Sequence, residues 1–347
     1  MARKGRLAAL LLGLWLACST VYGGQETLCA ADWEQYRQRF MTSEGRIQDT
    51  GNGGISHSEG QGWGMLLAVA ADDQEAFQKL WDWTDIMLRR PDMALFSWRY
   101  DPRTEPAVAD PNNASDGDVL IAWALLRAGQ RWGNTDYLAQ SAMIREAISK
   151  RLVRRVQGYT TLLPGIEGFD QPGGTLINLS YLVIPAFAEF DRIDPRGPWK
   201  DLLDDAPRLL KLARYGRYDL PPDWLMLPKQ GKPYPASGWP ARFGFDAVRI
   251  PLYYRWGRMD QRDPALLRPF ERFWRSGGQG NPPAWIDLDD GSVAPYPVST
   301  GVLAIRAYLA GAALPESPVH AEDYYSASLY LLVQLASGAC GQRPQSG

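Results

Sequence analysis

With 347 residues, 45% of them hydrophobic, the chain is long enough for one large domain or two ordinary ones with a sizeable core. Its formal net charge is −2, from 37 Lys and Arg against 39 Asp and Glu mixed along the chain; neither a basic patch nor a charged tail marks it for nucleic acid or an anionic membrane. The 14 Trp and 16 Tyr supply core area, and an excess of Trp also suits proteins whose rings stack on the apolar faces of sugars.

Residues 1–23 read as a secretory leader. Arg3, Lys4 and Arg6 form a basic start, Leu7 to Ala17 an apolar run too short to span a bilayer, and Val21-Tyr22-Gly23 a cleavage site before Gly24. Cys18 falls inside this segment; lipidation of Cys18 is the alternative, opposed by Trp15 where an aliphatic residue is usual. The mature chain then keeps Cys29 and Cys340, one near each end, which in an exported protein suggests a disulfide tying the termini together. Two free, buried thiols are the alternative.

Helical patterns follow one another. The first covers 31–42. The stretch Ser58-Glu59-Gly60-Gln61-Gly62-Trp63-Gly64-Met65 leads into an apolar run ending at Ala70 and opens the second. Each of its three glycines costs about 0.5–1 kcal/mol in a helix relative to alanine, which implies close backbone packing or close approach of a ligand. Trp63 suits either the core or a cleft wall. Phe77, Leu80, Trp81, Thr84, Met87 and Leu88 recur at helical spacing after Asp72-Asp73. Ser115 is a candidate N-cap for a helix carrying Val119, Ala122, Trp123, Leu126 and Ala128, or one residue of a longer loop.

Further helical patterns cover roughly 134–152, 176–191, 198–215, 242–258, 262–276, 299–311 and 321–337, the last stopping at Gly338, so close to a dozen helices are expected. Loops rich in Gly, Pro, Asp and Asn fill 101–114, 163–175, 217–241 and 277–298. Val153–Val156 and Tyr159–Leu163 read as a small hairpin. No interdomain linker, low-complexity tract or solenoid repeat is visible. Residues 24–347 therefore read as a single all-α domain, either a toroid of helical hairpins with a loop-built cleft at one end or an irregular bundle.

Three acids stand out by context: Glu59, Asp116 in Ala114-Ser115-Asp116-Gly117-Asp118, and Asp246 in Phe243-Gly244-Phe245-Asp246-Ala247-Val248-Arg249. Each sits beside glycine and apolar residues, where burial raises a carboxyl pKa and a nearby cation lowers it. Glycosidic hydrolysis needs two carboxyl groups in opposite protonation states. Each acid also has a plain structural reading. Asp116 and Asp118 suit the first turn of a helix, Glu59 likewise, and Asp246 with Arg249 makes an i,i+3 ion pair. No metal or cofactor is expected: His57 and His320 are the only histidines, His57 has no evident second ligand, and Cys29 and Cys340 lack zinc-like spacing. Asn113-Ala114-Ser115 and Asn178-Leu179-Ser180 match the short glycosylation pattern.

The segment from Ala114 to Trp132, ASDGDVLIAWALLRAGQRW, resembles the signature of glycoside hydrolase family 8 along its full length. Ser58 to Met65 is similar to the family's general-acid motif, and Phe245 to Arg249 to the segment carrying its general base. The resemblance runs from about Cys29 to about Gly338 and is nearest to the endoglucanases encoded beside bacterial cellulose synthase. It implies an (α/α)6 barrel, minor β-hairpin content and an inverting mechanism. Glu59 would then be the general acid and Asp246 the base that activates water. Asp116 would hold the sugar at the cleavage point, and Arg249 would orient or charge-balance Asp246. Tyr181 matches a family tyrosine near the catalytic water, although Leu179 stands where the family more often has proline. Trp98 is a candidate stacking platform. Apolar neighbours are expected to keep Glu59 protonated, and the glycines at 60, 62 and 64 to let a glucan chain approach.

The resemblance thus implies an endo-β-1,4-glucanase, periplasmic or secreted, whose partners are a cellulose chain and the cellulose synthase secretion machinery. Chitosanase, lichenase and xylanase are the alternatives within the family; the near-neutral charge balance argues against cationic chitosan. A non-catalytic glucan-binding component of an export machine is an alternative of another class, opposed by the presence of both Glu59 and Asp246.

Overall fold

The computed structural model describes residues 28–276 and 280–338. The leader at 1–23 and Cys340 lie outside the described residues; Cys29 is held in a disulfide. Twelve α-helices fall within the described residues. In chain order they are α1 (Ala30–Phe40), α2 (Ser58–Ala70), α3 (Gln74–Leu88), α4 (Ser115–Trp132), α5 (Thr135–Arg151), α6 (Ile184–Ile193), α7 (Trp199–Leu212), α8 (Ile250–Trp256), α9 (Met259–Arg262), α10 (Arg268–Arg275), α11 (Thr300–Ala310) and α12 (Tyr324–Ser337).

The helices form two concentric rings. Around the inside, α2 packs on α4, α4 on α6, α6 on α8, α8 on α11, α11 on α12, and α12 back on α2. Each inner helix carries an outer partner: α3 on α2, α5 on α4, α7 on α6, α9 on α8, α10 on α11 and α1 on α12. This is an (α/α)6 barrel. The hydrophobic pattern follows the layers. Gly60 to Val69 of α2, Ser115 to Leu126 of α4 and Ser326 to Leu335 of α12 are buried continuously, as helices surrounded on all sides must be. Outer helices bury one stripe: α5 buries Tyr137, Ser141, Ile144 and Ile148 and leaves Asp136, Glu146, Lys150 and Arg151 exposed.

Local chemistry sets the helix ends. Asp73 accepts from the Ala76 amide at the start of α3, Asn134 from those of Asp136 and Tyr137 at α5, and Asp323 from that of Ser326 at α12. Gly133 and Gly338 close α4 and α12 in the left-handed region, at φ 68° and 67°. Ser115 does not cap α4: it is the first helical residue, Ala114 holds the cap position, and no side chain bonds there.

Three expected helices are shorter than their patterns. Residues 176–191 divide into strand Gly174–Ile177, a 3-10 turn at Leu179–Tyr181 and α6. The strand forms because Gly174 to Ile177 are buried on both faces and find Leu225–Pro228 as an antiparallel partner. Strands Asp170–Gln171 and Tyr234–Pro235 complete a four-stranded sheet from segments expected to be loops. Residues 242–258 open as strand Arg242–Phe243 and pass through a 3-10 turn, Ala247–Arg249, before α8. Residues 262–276 hold the end of α9 and then α10, with the break before Pro269 at its N-terminus. The hairpin of Val153–Val156 with Tyr159–Leu162 is present as expected.

Candidate active site

The N-termini of two inner helices meet closely enough to bring two carboxyl groups together. Glu59 is the second residue of α2 and Asp116 the second of α4. Between them stands Gly117, where a Cβ would lie 2.1 Å from Ser58 Oγ and 2.8 Å from the Glu59 amide nitrogen; only glycine fits. Asp246 arrives from a third direction, at the head of the 3-10 turn that leads into α8, and Arg249 follows at the end of that turn.

Arg249 gathers the three acids. Its Nη1 lies 2.7 Å from Glu59 Oε1, and its Nη2 lies 3.0 Å from Asp246 Oδ1 and 3.6 Å from Asp116 Oδ2. The side chain is 4% exposed. Nη2 also donates to Ser180 Oγ at 2.9 Å, and Ser180 in turn donates to Asn178 Oδ1 at 2.7 Å. The guanidinium sits near the faces of Trp63 and Tyr181, at 5.9 and 6.0 Å from their centroids. A buried cation needs such partners to remain charged without water.

One cation serves three acids, so a proton is retained among them. Burial pushes the Glu59 carboxyl well above its ordinary value; Arg249 opposes the rise, while Asp116 and Asp246 add to it. Asp116 is also raised, chiefly by burial, and is held back by Arg249, by a hydrogen bond with Glu59 and by the Gly117 amide. Burial and the two neighbouring acids thus push Glu59 towards its neutral form, with Asp116 beside it. Asp246 is the most open of the three, with its side chain 28% exposed against 15% for Glu59 and 4% for Asp116. A buried carboxyl pushed towards its neutral form and a wetter one therefore stand on different nitrogens of one guanidinium.

The remaining expected residues lie around this set. Tyr181 closes the 3-10 turn beside Arg249, and burial first, then Asp116 and Asp246, raise its hydroxyl well above the usual phenol value. Trp98 is half-buried, donates from Nε1 to Asp110 Oδ2 at 2.8 Å and stacks on His57 at 6.1 Å and 10°. His57 is kept neutral, its pKa lowered to about 4 by burial and then by Arg99 and Arg249. Trp63 belongs to the core: it is 0% exposed, donates to the Tyr253 hydroxyl and lies against Tyr324 and Tyr325.

The glycines beside Glu59 do not receive a glucan chain. A Cβ at Gly60 would meet the Tyr324 hydroxyl at 2.4 Å, at Gly62 the Leu120 Cβ at 2.6 Å, and at Gly64 the Ile47 side chain at 2.9 Å. They let α2 sink against α4, α12 and the loop carrying Ile47. Asn113 and Asn178 are 3% and 2% exposed and bonded within the protein, so neither presents a glycosylation site on the folded surface.

The sequence marks Asp118 only as a first-turn acid, and Phe169, Asp223, Trp224 and Trp239 carry no sequence signal. Asp118 is 0% exposed, accepts from the Phe96 amide at 2.9 Å and from Asn113 Nδ2 at 2.7 Å, and is pushed up to about 7 by burial; it ties the approach to Trp98 onto α4. Phe169, Trp224 and Trp239 stack in sequence, at 5.9 Å and then 5.3 Å between centroids, with Tyr181 edge-on to Trp224. The adjacent Asp223 is 5% exposed and turned towards the segment of Asp246. Their residue types were visible in the sequence, but their neighbours come from segments distant in the chain.

The family model described as "Glycosyl hydrolases family 8" matches residues 4–339. A probable endoglucanase of Novacetimonas hansenii is 42% identical over 312 residues, 88% of this chain and 90% of that protein. The family 8 endoglucanase Cel10 of Klebsiella pneumoniae superposes with a TM-score of 0.84 at 44% identity, covering 89% of this chain and 99% of its own. The endo-β-1,4-glucanase CMCax of Acetobacter xylinum gives 0.84 at 41% identity, covering 90% and 98%.

Proposed function

The chain belongs to glycoside hydrolase family 8, and from that membership we propose that it is an endo-β-1,4-glucanase that cleaves cellulose with inversion. The observation that carries this reading is Arg249 standing between a buried Glu59, whose carboxyl is pushed well up by burial, and a more open Asp246. Glu59 protonates the leaving glycosidic oxygen. Asp246 takes a proton from the water that attacks the anomeric carbon from the opposite face. Both groups contact the same guanidinium, from different nitrogens, and inversion requires a gap between them that admits water. Asp116, hydrogen-bonded to Glu59, holds the sugar at the cleavage point and steadies the acid. Tyr181 orders the water, and the ring of Trp98 stacks on a sugar face.

The choice of substrate follows the printed activities of the relatives, endoglucanase for the Novacetimonas protein and endo-β-1,4-glucanase for that of Acetobacter. The basic and apolar N-terminal pattern supports export to the periplasm or beyond, and the resemblance to endoglucanases encoded beside cellulose synthase supports action on glucan during its secretion, next to that machinery. Among the described residues no helix is long and apolar enough to cross a membrane.

The test is reducing ends released from carboxymethylcellulose by the wild type and by Glu59→Gln. The expected loss is on the order of 10²–10⁴ in a folded variant, the usual contribution of general acid–base catalysis. Proton NMR of the first product should show the α-anomer. A fully active Glu59→Gln sinks the acid assignment, and an initial β-anomer sinks inversion.

A further inference from the structure

Asp246 needs a fixed backbone to act as a base, yet its own turn lacks a cap. The 3-10 turn Ala247–Arg249 begins without a side-chain hydrogen bond from Asp246, and the amides at the start of such a turn have no partner within it. A different segment supplies one. Asp223 Oδ1 accepts from the amides of Gly244 at 3.0 Å, Asp246 at 3.2 Å and Ala247 at 2.8 Å. The Asp223 amide donates to the Arg242 carbonyl at 2.8 Å, and Arg242 Nε stands 3.5 Å from Oδ2. The contact is close: a Cβ on Gly244 would come within 2.7 Å of Asp223 Oδ2.

We propose that Asp223 is a positioning residue for the reaction: one carboxylate oxygen, receiving three consecutive-segment amides, fixes the backbone from which Asp246 reaches the water. This rests on the reading of Asp246 as the base. What matters is where the acceptor stands rather than its charge. Asparagine can place a carbonyl oxygen at the same point, whereas glutamate keeps the charge but carries its oxygens one carbon further out. A displacement of about 1 Å at a reacting group costs on the order of 10²-fold in rate. Because either change acts on the position of the base, the effect falls on kcat rather than on KM.

The experiment compares Asp223→Asn, Asp223→Glu, Asp223→Ala and Asp246→Ala with the wild type, reading kcat, KM and the melting temperature. The expected result is kcat within about threefold of wild type for Asp223→Asn, and a loss of about tenfold to a hundredfold for Asp223→Glu and Asp223→Ala, with KM within about threefold throughout. If Asp223→Glu does not fold, Asp223→Ala against Asp223→Asn decides alone. Equal loss in Asp223→Asn and Asp223→Ala overturns the proposal, as does wild-type kcat in all three Asp223 variants while Asp246→Ala is inactive. Wild-type activity in Asp246→Ala shows instead that the base assignment beneath the proposal has failed.

Discussion

At the scale of the residue, the protonation of Glu59 is a balance between dehydration and a 2.7 Å contact with Arg249. Asp116 tips it, both as a neighbouring negative charge and through a hydrogen bond. Asp116→Asn removes the charge and so lowers the pH at which Glu59 loses its proton. Activity that depends on protonated Glu59 then falls earlier as pH rises. The expected outcome is a basic limb of the kcat/KM profile displaced to lower pH, measurable on carboxymethylcellulose alongside any general loss of rate; an unmoved limb would dissociate Asp116 from the acid. Glu59, Asp116, Asp246 and Arg249 were legible in the sequence because each stands in a short motif of constrained neighbours. Asp223 was not. Its function is to accept amides from another segment, and an acceptor of that kind leaves no pattern around itself.

At the scale of the element, the glycines of α2 and α4 show how tightly the inner ring is drawn. Gly62→Ala would press a methyl group onto Leu120 at 2.6 Å and the Ile121 amide nitrogen at 3.1 Å. Overpacking of this kind costs about 1–3 kcal/mol, so calorimetry should record a lower melting temperature, with kcat of the folded fraction retained. Gly117→Ala strikes the site itself, since the displaced atoms are Ser58 Oγ and the Glu59 amide. There kcat should fall by more than tenfold, the order expected when a catalytic group is displaced, even in a variant that melts near wild type. The long periodic helices were legible from spacing alone. The segments at 176–191 and 242–258 were not, because strand pairing with Leu225–Pro228 and with Ile286–Asp287 overrides their local helical pattern. The glycines of α2 were misread for a related reason. Sequence marks a close approach without saying whether a ligand or a neighbouring helix makes it.

At the scale of the whole molecule, the ring is closed by joining its ends. The first helix lies against the last: Tyr36 and Ser328 share a hydrogen bond at 2.9 Å, and Gln334 donates to Asp32 at 2.7 Å and lies 3.4 Å from the Cys29 amide. Cys29, at the start of this seam, is held in a disulfide, and a disulfide stabilises by restricting the unfolded chain. Cys29→Ser should therefore cost about 2–4 kcal/mol of stability. In a thermal melt, reductant should bring the wild type down to the variant and leave the variant unchanged; a wild type indifferent to reductant would show that the covalent link contributes nothing.

Arg249 has a consequence for the order of events in the life of the chain. Its partners come from α2, from the head of α4 and from its own turn before α8, so no stretch of polypeptide contains the catalytic apparatus by itself. A chain delivered from its N-terminus presents Glu59 and Asp116 first, as two crowded acids without the cation that holds them in place. Only when the later helices arrive does the guanidinium bring Glu59, Asp116 and Asp246 into one constellation. Hydrolytic competence therefore comes only with assembly of the ring. Recovery of activity during refolding clocks the moment at which the ring becomes whole.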